Sequence, residues 1–342
     1  MTKHENNFDE WNVTEEAAKL HADALVVDLT LPWIPEAEIR EKESALDRFE
    51  ASGFDFLSLS IGVERMSLAQ TMHYLLDTRD GFVARPDRFV FAESVADIRK
   101  AKADGKVAIG FHFQGSEMLE RDVRMVKVFY DLGVRHMLLA KDNRTQAADG
   151  CYEPADSGLS TYGRALVREM NRVGMILDLT HMGHRSTMEA MEISTEPVIF
   201  SHSNPFGIRQ QRRCIKDDQI KGCAESGGVV GIVGFGHFMK NYDISPSCFF
   251  ENIDYIAQLV GPKHVALGLD YVFFPQRFLE DVRSNPGAWP AEYMQNMQGF
   301  NYMPPEDLPK VTEIMLQHGY SDDDVRGVLG ENFLRVAEKV WK

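Results

Sequence analysis

Two histidines close two successive apolar runs: Met175-Ile176-Leu177-Asp178-Leu179-Thr180-His181, then Pro197-Val198-Ile199-Phe200-Ser201-His202. A short apolar run that stops at a polar residue is the pattern of a buried parallel strand delivering that side chain to the carboxyl edge of a sheet. With a helix between the two strands, both imidazoles can stand over one point. Neutral imidazole is the commonest metal ligand, and paired histidines at barrel strand ends point to a metal that activates water. Either histidine alone reads equally as a polar group hydrogen-bonded at a strand end. The pair in register is what argues for a metal.

The elements that must position this pair alternate along the chain. Apolar runs predict strands over 24–28, 54–61, 107–113, 134–140, 175–180, 198–200, 228–233 and 264–269. Helical patterns fall between them, over 36–52, before Gly133 and over 158–173. Eight strands with intervening helices predict a closed (β/α)8 TIM barrel. A single domain over 1–342 is expected, with an N-terminal extension over about 1–20. The Pro- and Asn-rich stretch 273–305 reads as a long loop over the carboxyl face or a dimer contact.

Composition sets limits on partners. The 342 residues are 44% hydrophobic and 26% charged, enough for a large core. A net charge of −15 excludes the basic surfaces that nucleic acid or an anionic membrane would require, leaving small molecules as the expected partners. Cys151, Cys214, Cys223 and Cys248 lack metal or disulfide spacing and read as free thiols. No run approaches a membrane span or a signal h-region, so a cytoplasmic protein is expected.

On a barrel, the strand ends nominate the site: Asp28 and Thr30, His112 and Gln114, Lys141, His181, His202, His237 and Asp270. His112 and Gln114 share a face by strand alternation. His237, between glycine and phenylalanine, reads as a loop residue, and Asp178 as a residue that fixes groups beneath the site. Structural alternatives stand beside these. Arg212-Arg213 with Asp217-Asp218 reads also as a surface ion-pair cluster, Lys141-Asp142-Asn143-Arg144 as a solvated turn, and Asp270 as a loop cap.

The segments Phe129-Tyr130-Asp131-Leu132-Gly133-Val134-Arg135, Asp149-Gly150-Cys151 and Leu177-Asp178-Leu179-Thr180-His181, with Phe200-Ser201-His202-Ser203-Asn204, Arg212-Arg213 and Gly268-Leu269-Asp270, resemble the renal or membrane dipeptidases, peptidase family M19. The resemblance runs from His21 to Arg335. It implies an amidohydrolase-like barrel with two zinc ions, a bridging water that attacks the peptide carbonyl, and a homodimer. Carried over by position, His181 and His202 resemble zinc ligands and Asp270 the aspartate that takes the water's proton. Arg213 resembles the arginine that grips the substrate carboxylate, and Asn204 is read with it as a substrate contact.

The chain departs from the family where metal chemistry is most demanding. The His-x-Asp of the first strand is absent: Asp28-Leu29-Thr30-Leu31-Pro32 puts Thr30 with Pro32, or Asp28 with Thr30, at those positions. The bridging glutamate is Gln114, and the histidine after the fourth strand is Lys141. One zinc on His181 and His202, with Gln114 or His112, is therefore expected. A second ion requires Asp28, His112, Gln114 or a carboxylated Lys141 to rebuild its site.

The expected activity is hydrolysis of a dipeptide or related amide of a small carboxylate, with Asp270 as general base and Lys141 as the cation at the oxyanion. Lys141 supports an alternative, since a desolvated lysine can form a Schiff base or abstract a proton in a lyase, isomerase or decarboxylase. A catalytically silent homologue is the third reading.

Overall fold

Eight near-continuous apolar runs leave no polar face, so the strands they form must be covered on both sides. In the computed structural model, which describes residues 8–35, 37–285, 289–295 and 297–342, they form one parallel sheet. Residues 1–7, Glu36, 286–288 and 296, where the expected extension, first helix and long loop partly fall, lie outside the described residues. The strands are β1 (Val27–Pro32), β2 (Phe56–Val63), β3 (Phe89–Phe91), β4 (Val107–Gln114), β5 (Val134–Leu138), β6 (Ile176–Asp178), β7 (Ile199–Phe200), β8 (Val229–Ile232) and β9 (Val265–Leu267). Their order is β1-β2-β4-β5-β6-β7-β8-β9, and the Asp270 amide donates to Thr30 O at 3.0 Å across the seam between β9 and β1. The result is a nearly closed eight-stranded α/β barrel.

The additional strand β3 was not expected. It pairs with the first part of β4, through Val107, Ala108 and Ile109, whereas β5 pairs with the part from Phe111 to Phe113. β3 thus fills the lower edge of β4 and leaves the upper edge to the barrel.

Side-chain alternation makes the lumen change character along its axis. At the amino end Leu29, Phe56, Ala108, Ile176, Ile199 and Val229 form an apolar plug with Phe333 and Leu334 of the helix Asn332–Val340. Two residues further up, β2 turns Ser58 inward, β5 His136 and β6 Asp178, all buried. The larger core fills the space between barrel and outer helices. Glycine allows the last strands to approach: a Cβ at Gly231 or Gly268 would collide with the Ser201 carbonyl oxygen, beside His202.

The 273–305 stretch contains helical structure rather than an irregular loop. Pro275–Ser284 is a helix with proline at its first turn, followed by a short helix, Ala291–Gln295. The chain is then fastened to the mouth: Gly236 N donates to Asn301 O at 2.8 Å, and Met303 N to Gly234 O at 2.9 Å.

Candidate active site

A cavity of about 780 Å³ opens at the carboxyl mouth, and its polar lining includes Glu64, Gln114, Lys141, Asp142, His181 and Asp270. Every one of these follows or ends a strand, so the barrel itself brings them together. Three of them, Asp142, His181 and Asp270, hold left-handed backbone with φ of 63°, 67° and 52°. Such conformations cost L-residues free energy and cluster at functional sites.

His181 Nε2 and His202 Nε2 stand 3.0 Å apart. Asp142 Oδ1 lies 2.7 Å from His181 Nδ1, and because a carboxylate only accepts, it places the ring proton on Nδ1 and leaves Nε2 bare. Thr30 Oγ1 and Ser201 Oγ, at 3.0 and 2.8 Å, hold His202 through Nδ1. Two imidazole nitrogens this close need a proton or a cation between them. A tetrahedral metal with bonds of about 2.0–2.1 Å sets two such nitrogens roughly 3.3 Å apart, so the pair fits as two ligands of one ion. A carboxylate behind a ligating histidine is also the usual support for such a ligand. Among the described residues no group of three or more His, Cys, Asp or Glu is arranged to hold a metal.

Burial tunes the surrounding charges. It pushes Asp270 up to about 6, against the opposing pull of Lys141 and Arg213. It lowers the Lys141 ammonium below its ordinary range, with Asp142, Asp270 and Glu64 pulling the other way. His181 is brought down to about 4 by burial and by Arg213. Asp142 would be raised by burial, but His181, Lys141 and Arg213 outweigh that and lower it. The site at neutral pH therefore holds neutral histidines and the Asp142 and Asp270 carboxylates, with the Lys141 amine beside them.

The other expected residues lie behind the cavity wall. Arg213 is buried, with Nη1 donating to Ser203 Oγ at 3.0 Å and Nη2 to His202 O at 2.7 Å, while its Nε lies 3.1 Å from the His181 Nδ1 that donates to Asp142. It braces the His202 backbone and does not line the cavity. Asn204, expected at the substrate, instead staples the β8 loop: Nδ2 donates to Val233 O and Phe238 O, and Oδ1 accepts from Val233 N. Asp28 Oδ1 accepts from Leu269 N at 2.8 Å and ties the barrel seam, while its buried Oδ2 has no partner among the described residues. His237 sits in the turn Gly236–Phe238 against Tyr293 and Phe300.

His112 belongs to a second, deeper network. Asp178 Oδ2 accepts from His136 Nδ1 at 3.2 Å, so His136 Nε2 is bare and accepts from Ser58 Oγ at 2.9 Å. Ser58 Oγ then accepts from His112 Nδ1 at 3.0 Å, which leaves His112 Nε2 a buried acceptor without a partner among the described residues. Asp178 also receives Thr180 N and Ser201 N, fixing the backbone below both site histidines.

The surface alternatives do not form. Arg213 is 2% exposed, Asp218 pairs with His184 at 2.7 Å, and Asp217 accepts from Tyr255. Lys141 is half-buried and lines the cavity with the buried Asp142, whereas Asn143 and Arg144 of the same turn are exposed. Two participants were missed. Glu64 follows β2, accepts from the Lys141 amide and is raised by burial to about 8. Reading that strand as ending at 61 hid it. The aromatic wall of Phe235, Phe278, Trp289, Tyr293 and Tyr302 carries no periodic signal in the sequence.

The fold and site define a barrel with a polar centre at its carboxyl mouth, the layout of barrel hydrolases. Residues 19–287 match the model of the membrane dipeptidases, peptidase family M19, and the chain belongs to that family. An uncharacterized dipeptidase of Schizosaccharomyces pombe is 30% identical over 69% of this chain and 54% of its own length. Dipeptidase tcpJ of Claviceps purpurea is 29% identical over 74% and 56%. The chain thus spans about half the length of these curated relatives. An amidohydrolase from Pseudomonas aeruginosa superposes with a TM-score of 0.82 at 29% identity, covering 95% of this chain and 99% of that one. A metallopeptidase from Rhodobacter sphaeroides, liganded with a phosphinate mimic of L-Ala-D-Ala, gives 0.75 at 21% identity, over 93% and 100%, and shares the fold. Among the described residues no helix is long and apolar enough to cross a membrane.

Proposed function

We propose that this chain is a metal-dependent hydrolase that cleaves the amide of a dipeptide or a related small carboxylate, with an altered site holding one zinc ion. The convergence of His181 Nε2 and His202 Nε2 at 3.0 Å, with His181 lining the same cavity as Asp270 and Lys141, carries the reading. His181 and His202 would hold the ion, with Gln114, which lines the same cavity, as a further donor. Bound there, zinc supplies Lewis-acid polarisation and lowers the pKa of water.

The chain's own residues do the rest. Asp142 keeps His181 in the tautomer that presents Nε2, and Arg213 braces the backbone of His202 from behind. Asp270, with a pKa near 6, accepts the proton of the attacking water and returns it to the leaving amine nitrogen. Lys141 places a positive charge at the developing oxyanion, where the family resemblance expects a histidine.

The test is hydrolysis of unprotected dipeptides and N-acyl amino acids by the zinc-supplemented protein and its Asp270→Asn variant. Amide cleavage that falls by roughly 10²–10⁴ in the variant supports the proposal. Cleavage at equal rates by both proteins contradicts it.

A second reading rests on Lys141 itself. Its ammonium faces the cavity, and no hydrogen bond or ion pair engages it among the described residues. A lysine so placed suits Schiff-base chemistry on a carbonyl substrate. Borohydride trapping of a substrate carbonyl on Lys141 would establish this reading in place of hydrolysis.

A further inference from the structure

The cavity is larger than the chemistry at its floor requires. At about 30 Å³ per water, its 780 Å³ would take roughly 26 waters, whereas a dipeptide of two small residues has on the order of ten heavy atoms. The additional space faces rings. Phe235 and Tyr302 stack at 4.7 Å with planes 13° apart, and Trp289 stands edge-on to Phe278 at 4.9 Å and 28° from the plane of Tyr293 at 6.3 Å.

This wall is held in place from the rim. Trp289 Nε1 donates to Asp281 Oδ2 at 2.7 Å, and the Arg65 guanidinium covers one face of the indole at 4.4 Å. Arg65 in turn lies 3.6 Å from Asp281. Lys141 Nζ also stands 5.8 Å from the indole centroid, so the ring is held in place between the rim and the site, where a flat ligand can pack on it.

We propose that the substrate is an amide-linked carboxylate bearing a flat aromatic group. The ring lies against the part of the cavity wall formed by Trp289 and Tyr293. This substrate class rests on the amide-hydrolase reading above, while its binding step can be tested without turnover.

Two probes decide it: N-acetyl-alanine and N-(2-naphthoyl)-alanine. Calorimetry gives their affinities for the zinc-supplemented protein, and product analysis follows cleavage, in which water adds across the C–N bond to release the carboxylic acid and alanine. Naphthoyl-alanine is expected to bind at least about tenfold tighter than acetyl-alanine. Trp289→Ala should bring the naphthoyl to acetyl ratio towards one. Equal affinities for the two probes, no binding of either, or a ratio unmoved in Trp289→Ala overturns the inference. Tight naphthoyl binding without cleavage removes the hydrolase reading and the substrate claim with it, leaving only an aromatic binding site, whereas cleavage of acetyl-alanine without aromatic preference upholds hydrolysis and overturns the aromatic class.

Discussion

The barrel carries two buried pairs of histidines, and they are built in opposite ways. His112 and His136 stack face to face, with centroids 4.4 Å apart and planes at 10°, and Ser58 joins them through one nitrogen of each. His181 and His202 meet edge-on at 5.0 Å and 67°, with two Nε2 atoms aimed at each other and no hydroxyl between. Both pairs are backed by a carboxylate, Asp178 in one and Asp142 in the other. The types of residue are the same. What separates a structural pair from a candidate centre is where the bare nitrogens point, and whether the cavity reaches either ring: it touches His181, with His202 behind it, and neither His112 nor His136.

The largest effect that would break this contrast falls on the deeper pair. His136→Ala leaves the Asp178 carboxylate buried without its imidazole, and loss of one partner of a buried pair costs about 3–5 kcal/mol. Chemical denaturation should show that loss, and an unchanged midpoint would remove the structural role assigned to the pair. A smaller loss, about 1–3 kcal/mol, is expected for Asn204→Ala, which strips acceptors and a donor from the β8 loop. Substrate KM measured in the same variant separates the two roles of Asn204: a stability change with KM unmoved supports the staple, and a raised KM at wild-type stability restores the substrate contact.

The pH profile sharpens the comparison further. Asp270 must be ionised to accept a proton, and burial raises its pKa to about 6. The rate should rise about tenfold per pH unit below that value and level off above it. The sign for stability is opposite. An acid whose folded pKa lies above its unfolded value near 3.8 favours folding while protonated, so this contribution is lost as pH rises from about 4 through about 6. A rate that is flat between pH 5 and 7 would remove Asp270 as the base.

Much of the scaffold was legible in the residues. Each of the eight apolar runs is a strand because covering helices leave it no solvated face, and polar residues at the run ends mark the mouth. β3 escaped notice because Phe89–Phe91 has only three residues, two of them partly exposed, and pairs with half of one neighbour. At the site, the strand-end rule places Lys141, His181, Asp270 and Gln114 together. It could not tell which of Arg212 and Arg213 turns inward, since adjacent residues of one type differ only in their surroundings. Nor could it reach Trp289 and Tyr302, which arrive at the mouth through a segment whose course depends on long-range hydrogen bonds to Gly234 and Gly236.

The central claim is that the edge-on pair holds one ion. Metal content per chain, measured by mass spectrometry after zinc supplementation for the wild type and for His181→Ala, tests it most directly. The account predicts about one zinc in the wild type and essentially none in the variant. Zinc retained by His181→Ala, or a supplemented wild type that holds none, would contradict it.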